Sequence, residues 1–588
     1  MRKLYIAALV IVCASLVWGE MKSSVSQWGI TFTFDKSYEC GNFANGDWWV
    51  VGPVTLTAIS PNASGGRNGW EVNPQAGKTA LDYRISTAGS YSASGMPSLP
   101  YLAQPNSSIV KANSRPEATY DGGDRYRLKS AAVLTVLDKV PADNGATVFR
   151  PPYMSTYKPL YSTNDLQTDK LPSLDPSLVV GRPSLTDIAN RHKHPWLDHV
   201  HVIASQYIRS TDSGINYYGA SLSTQFTDSQ LGLYFNDPIQ DKLPALVNYI
   251  QMGIDIYGMV KAGHEFTPTG GHGIGRKLPM IFAAVMLDAR DMVADLAKVD
   301  QTEVFHEDGS VWFSQKADNG KGKVLFGHKF EIPINEDAYW QNVISDQGSR
   351  TRHDPYSYID GGYRPGSSYQ LCCNSMPMKY IALALLMMPE LRTVWTSDYL
   401  IMYADRWVTV GGWATPDPCA PFPSSVTTWP DPPGYEVSYG PDPSKPGDCI
   451  RGSGRFPGSH GANKDDGGRQ STFGNFFWKN YRASAPPKPG TGLVKEKRQL
   501  TVDSRQHHPT LRVKPNPMNE STRILLSEGT TGPIKVYTAQ GKRIRAFQNP
   551  EMVWDGRNDA GARVDEGVYY ISVDFKGRAL LHRVTVVK

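Results

Sequence analysis

The hydrophobic residues of this chain change period near position 185, and that change limits what it can fold into more than any other feature. From about 25 to 185, short runs such as "ITFTF", "WWVVGPVTLTAIS", "SIVKANS" and "SAAVLTVL" alternate apolar and polar positions, and Gly, Pro, Asn and Ser separate them. Such alternation predicts an antiparallel, β-rich domain over 25–185. Beyond it, "PWLDHVHVIASQYI", "DKLPALVNYIQMGIDIYGMVKAG", "RKLPMIFAAVMLDARDMVADLAKV" and "MPMKYIALALLMM" carry apolar residues at helical spacing. Serial helices without intervening strands predict an all-α bundle or toroid of helical hairpins over 186–482, rather than a βαβ fold.

At 588 residues, 40% of them hydrophobic, the chain is too long for one ordinary domain and is read as multidomain. Lys+Arg 61 against Asp+Glu 56 leaves a net charge of only +5. With no run of basic residues, that balance argues against nucleic acid as a partner and leaves room for a local basic cleft.

The first residues, "MRKLYIAALVIVCASLVWGE", combine a basic start, a short apolar run and a small-residue exit. They read as a signal peptide, residues 1–19, of a bacterial protein that is secreted or held at the cell surface. The run is short for a bilayer span of ~20 residues. Past Cys13, five cysteines remain. Cys419 and Cys449 lie in a loop-rich stretch where a disulfide would restrict the unfolded chain most, so they are the expected pair. Cys372 and Cys373 open an apolar helix and read as packing residues. Without any C-x-x-C pair, no metal is expected, and no cofactor is indicated.

Residues 411–482 are rich in Pro and Gly yet keep Trp413, Trp429, Phe473, Phe477 and Trp478, which predicts ordered loops wrapping the helical part. Residues 483–510 read as a linker. The last segment, 511–588, has strand-like runs with tight turns at Gln540-Gly541, Asp555-Gly556 and Glu566-Gly567. Through "WDGRNDAG" and "GVYY" it resembles the Ig-like C-terminal modules of flagellar hook-capping proteins and the sorting modules of type IX secretion substrates. The resemblance implies a small β-sandwich serving export or surface attachment, with secretion or cell-surface machinery as its partner.

The chemistry concentrates in two loops. "GHEFTPTGGHGIGRK" places Glu265, His272, Arg276 and Lys277 in a glycine-rich approach to a helix. "SRTRHDPYSYIDGGYRPGSSYQ" gathers Arg352, Tyr356, Tyr358 and Tyr369 before another. Two such loops at helix ends would form a cleft. Histidine, tyrosine and arginine together, without a serine nucleophile motif or a metal set, suit removal of the C5 proton of a uronic acid. An arginine binds the carboxylate, a neutral histidine or a tyrosinate takes the proton, and a tyrosine hydroxyl protonates the departing oxygen. Asn216 could help neutralise the carboxylate, although an ordinary turn asparagine is the plainer reading.

At "GGHGIGRK", "YQLCC…YIALALL" and "YLIMYADRW" the middle of the chain resembles the (α/α)-toroid polysaccharide lyases of the alginate and glucuronan type. Polysaccharide lyase family 38 pairs a Glu and a His seven apart with an Arg and a Tyr six apart, spacings that Glu265 with His272 and Arg352 with Tyr358 reproduce. The resemblance implies His272 and Tyr358 as base and acid, Arg352 on the carboxylate and Glu265 in support; Asn216, Arg276, Lys277, Tyr356 and Tyr369 are read as further substrate contacts, with Arg276 and Lys277 calling for either a bound anion or a neighbouring protein carboxylate. The expected activity is β-elimination of an acidic polysaccharide. The alternatives are a glycoside hydrolase using Glu265, Glu307, Asp308 or Asp360, and a non-catalytic glycan-binding surface protein. Four histidines in "HKHPWLDHVH", His192, His194, His199 and His201, invite a metal reading, but His199 and His201 would diverge on a helix.

Overall fold

The structure is a computed structural model, described here over residues 19–116, 125–176, 179–314, 323–327, 373–410, 469–487 and most of the strands between 511 and 586. The signal-peptide residues 1–18, the second loop with Arg352, Tyr356, Tyr358 and Tyr369, the expected Cys419–Cys449 pair and the linker from 488 lie outside the described residues. The chain divides into two compact units, Met1–Lys497 and Arg498–Lys588.

The first unit opens on a hairpin. Strands β1 (Glu20–Gln27) and β2 (Ile30–Asn42) are joined through Trp28 and Gly29, both at positive φ, the twist a two-residue hairpin turn needs. Along β2, Ile30, Phe32 and Phe34 are buried while Thr31 and Thr33 are partly exposed, so the period of two in "ITFTF" becomes one inward face. With β3 (Trp48–Val51), β4 (Val54–Ser60), β5 (Trp70–Val72), β6 (Tyr101–Ala103), β7 (Ser107–Ser114) and β8 (Leu128–Leu137), these strands form one eight-stranded sheet. The path runs β5-β7-β8-β3-β2-β4-β6, with β1 added on β2. Pairing is antiparallel except between β3 and β8.

The two faces of the sheet pack against different partners. Phe32, Phe34, Leu56, Ile109, Leu134 and Val136 enclose a core made only of β residues. Val110, Ala112, Leu128, Ala131 and Val133, on the alternate positions of β7 and β8, join the core of the helices. A central strand covered on both sides is apolar throughout, and β8 reads "AAVLTVL" for that reason.

The helical part is built around α3 (Ile239–Lys261) and α4 (Lys277–Met286). All ten residues of α4 are buried, and α3 is buried almost continuously from Ala245 to Val260. They cross closely at Gly253, where a Cβ would sit 2.2 Å from the Pro279 carbonyl oxygen. Around them lie α1 (Leu185–His192), whose N-terminus is closed by a Ser184–Asp187 capping box, α2 (Gly219–Gly232) and α5 (Arg290–Leu296). A β-hairpin, β9 (Val311–Ser314) with β10 (Lys323–Phe326), interrupts the series before α6 (Ser375–Met387), α7 (Pro389–Trp395), α8 (Tyr399–Val410) and α9 (Thr472–Tyr481).

This arrangement corrects the expected all-α toroid. A toroid needs successive hairpins of helices, each with one buried face. Here α3 and α4 are buried nearly all round, the sheet supplies part of their wall, and a β-hairpin stands in the series. Residues 25–185 and 186–482 accordingly fall within one unit. The segment from Pro195 to Ile208, expected as a helix, is helical only at Ser205–Ile208. Among the described residues, no helix is long and apolar enough to cross a membrane.

Cys373, expected as a packing residue, is disulfide-bonded. Its partner lies outside the described residues, since Cys40 is free and buried.

In the second unit, a three-stranded sheet (β11, Leu511–Lys514; β12, Thr522–Leu526; β15, Val553–Trp554) and a four-stranded sheet share one core. The second sheet comprises β13 (Ile534–Thr538), β14 (Arg543–Phe547), β16 (Gly567–Phe575) and β17 (Arg578–Val586). The "WDGRNDAG" motif is a self-bonded turn. Trp554, fully buried, donates its Nε1–H to the Arg557 carbonyl at 2.9 Å, and Asn558 Oδ1 accepts the amides of Ala560 and Ala562 at 3.0 Å each. Asp559 then caps the Ala546 amide of β14 at 3.0 Å.

Candidate functional site

The glycine-rich loop from Gly263 to Arg276 connects α3 to α4 and is held from beneath. Glu307 Oε1 accepts the Gly275 amide at 2.6 Å. Asn374 Nδ2 donates to the Gly270 carbonyl at 2.8 Å, and Asn374 Oδ1 lies 2.6 Å from His306 Nε2. The start of α2 presses on the loop from the side: a Cβ on Gly219 would sit 2.0 Å from the His272 carbonyl oxygen, so no other residue fits without moving it. Gly275 is at φ +98 with Ser223 against it, a conformation and a space open only to glycine.

Arg276 and Lys277, expected to meet either a bound anion or a protein carboxylate, are fully buried and paired inside the protein, so they are not substrate contacts. Arg276 Nε donates to Asp198 Oδ2 at 2.8 Å, and Lys277 Nζ donates to Asp308 Oδ2 at 2.6 Å while lying over the Trp395 ring. Two cations at a helix start are unfavourable against its dipole, and these carboxylates offset that cost. Glu307 and Asp308, candidates for a hydrolase acid pair, have the same internal role. Burial pushes the Glu307 carboxyl up to about 7, the neighbouring Asp308 adding to the rise, while the Gly275 amide and Lys277 oppose it.

Asp198 accepts from a second guanidinium, Arg209 Nη1, at 3.2 Å. One carboxylate thus serves two arginines, and the cluster carries a surplus positive charge. Arg276 Nη2 and Arg209 Nε are buried without a hydrogen-bond partner among the described residues.

His272 sits half-buried above this cluster. Burial pushes its imidazole down to about 4, with Arg276, Arg209, Arg125 and His201 adding to the effect in that order. The Tyr218 ring meets it edge-to-face with centroids 4.8 Å apart, and Arg469 lies over Tyr218 at 4.8 Å. Arg125, Arg469 and His201 are exposed, so the open side of the site is basic. A base kept neutral by its surroundings and ringed by cations is suited to removing a proton from carbon next to a carboxylate.

Of the other expected residues, Glu265 is exposed at the start of the loop. Asn216 is exposed in the turn before α2, its amide donating to Gln225 Oε1 at 2.9 Å. The four histidines of "HKHPWLDHVH" separate. His192 is buried against Ser229, His194 meets the Trp28 ring at a tilt, His199 bonds Tyr153 at 2.9 Å, and His201 is exposed at the His272 site. Trp196 and Trp478 are core residues. Tyr218, Arg125, Arg469 and His201 were not singled out for this site by the sequence. For Tyr218 the signal was its place in "NYYGA", two residues past Asn216 at a helix start. Arg125 and Arg469 carry no local pattern.

No family model matches the chain, and no curated protein does. Among solved structures, a match to PorZ is 24% identical with a TM-score of 0.12. PorZ is described as an essential bacterial surface component of the type IX secretion system of Porphyromonas gingivalis, and the match covers 13% of this chain and 11% of that one, a likeness too partial to fix fold or function.

Proposed function

We propose that this chain is an exported polysaccharide lyase that cleaves an acidic, uronate-containing polysaccharide such as alginate or glucuronan by β-elimination. The observation that supports this most is His272, held neutral and half-buried beside an arginine pair that shares one carboxylate. A uronate carboxylate would be drawn to the exposed Arg125 and Arg469, with Arg352 of the second loop as a further holder. His272 would take the C5 proton, and the electron pair left behind would form the C4–C5 double bond. The glycosidic oxygen would leave with a proton from a tyrosine, either Tyr218, in contact with His272, or Tyr358.

The test is to mix wild-type protein with alginate, glucuronan or pectate and follow the ultraviolet absorbance of the unsaturated uronate. His272→Asn is expected to lower kcat by on the order of 10² or more. Comparing Tyr218→Phe with Tyr358→Phe identifies the acid. New reducing ends without that absorbance would replace elimination by hydrolysis, and binding without either product would make the chain a glycan-binding protein.

A further inference from the structure

A second polar site lies on the β part of the first unit. A cavity of about 470 Å³, within the range of small-ligand pockets, is lined by Glu71, Asn73, Gln75, Thr79, Ser92 and Ser94. Its polar lining is carboxylate, amide and hydroxyl together with the exposed Lys78, whose Nζ donates to the Gly89 carbonyl at 2.9 Å. Glu71 is 4% exposed. Its Oε1 accepts Thr79 Oγ1 at 2.5 Å and the Ala80 amide at 2.7 Å, which fixes the carboxylate in the wall. The other oxygen is 3.7 Å from His199 Nε2, a fully buried nitrogen without a hydrogen-bond partner among the described residues.

The position of this cavity follows from Asp198 and His199, consecutive residues with opposite duties. Asp198 serves the arginines under His272, and His199 faces Glu71 in the cavity wall. The loop lining the cavity is tied to the same segment, because the Gly77 amide donates to the His199 carbonyl at 2.6 Å.

We propose that this cavity binds a neutral hexose unit. A fixed carboxylate acceptor with amide and hydroxyl neighbours matches the many hydroxyl donors of a sugar ring. Glu71 and Lys78 together leave the lining without net charge, which suits a neutral sugar and offers a uronate no surplus cation. The site is separate from His272 and does not depend on elimination being the reaction.

The full chain would be titrated calorimetrically with glucose, mannose, galactose and glucuronate, in wild type, Ser94→Trp and Gln75→Ala forms. Ser94 and Gln75 are exposed at the rim, so these substitutions spare the core. Saturable binding of at least one neutral hexose is expected, removed by the Trp side chain that fills the cavity. Gln75→Ala should weaken it by roughly threefold to tenfold, the loss of one uncharged hydrogen bond. No saturable neutral-sugar binding by folded wild type, binding untouched in Ser94→Trp, or glucuronate binding more tightly than the neutral sugars would each overturn the assignment.

Discussion

His272 is a weak base in the empty protein because burial and then four basic neighbours oppose its charging. A bound carboxylate would offset those neighbours and raise its proton affinity where the reaction needs it. Nuclear magnetic resonance titration of the imidazole should show it well below an ordinary histidine, and adding glucuronate should move it upward. An unchanged titration with glucuronate bound would remove His272 from the carboxylate site. For the elimination itself, kcat/KM should keep its value well below pH 6.5 and fall only near about pH 4, the value to which His272 is pushed. The sequence made the ionisable loop legible but left two kinds of partner open for its cations, a bound anion or a protein carboxylate. "GRK" at a helix start looks like an anion site, and the carboxylates that occupy Arg276 and Lys277 come from 78 and 31 residues away. No local pattern announces partners at that separation.

Single elements set how the site responds to pH and to substitution. Folding holds His272 and His264 near 4, below their ordinary 6.5, so their contribution to stability is complete above 6.5 and is lost as pH falls through 4. Glu307 works in the opposite sense. Its folded value is raised to about 7, so the stabilisation of its protonated form is present below 4.5 and is lost as pH rises through 7. Glu307→Gln can still accept from the Gly275 amide but cannot titrate, and it should flatten the decline in Tm across neutral pH. A decline of the same steepness in the variant would assign it to another group. At the other contact, Gly219→Ala places a methyl against the His272 carbonyl oxygen, at a cost of about 1–3 kcal/mol. Activity should fall further than stability, and full turnover in a folded Gly219→Ala protein would show that the loop's position is not critical.

Legibility also differed between elements. "ITFTF" and "SAAVLTVL" declare strands because a pleated sheet imposes its period on them. The segment β1, "EMKSSVSQ", buries only Val25 and is a strand chiefly through its hairpin partner. Residues 195–204 imitate helical spacing because Trp196, Leu197, Val200 and Val202 all reach the core, yet the segment is an irregular one that turns Asp198 and His199 to different partners.

At the scale of the whole molecule, Arg150 links the two halves of the first unit. Its guanidinium bonds Asp47, between β2 and β3, at 2.6 Å and Asp255, midway along α3, at 2.5 Å, all three fully or almost fully buried. Arg150→Met would leave two buried carboxylates facing each other, and a loss of about 3–5 kcal/mol is expected in chemical denaturation, the cost of breaking a buried pair. A loss under about 1 kcal/mol would mean that protonation of Asp255, which burial already raises to about 6, absorbs the change. Cutting after Lys497 should leave a protein that folds and retains whatever activity His272 carries, since the chain's internal contacts separate there. Aggregation of that product would show that the first unit needs the second.

The double-faced sheet decides how this chain could be recombined with others. Val110, Ala112, Leu128, Ala131 and Val133 are shaped to helices that come later in the sequence, while their neighbours on β7 and β8 are shaped to the sheet's own interior. A chimera that borrowed residues 25–185 as a ready-made module would therefore bring an apolar face without its cover, and the recipient helices would lose their wall. The exchangeable pieces are the two units divided at Lys497, and a crossover near residue 185 would have to change both sides of that interface together.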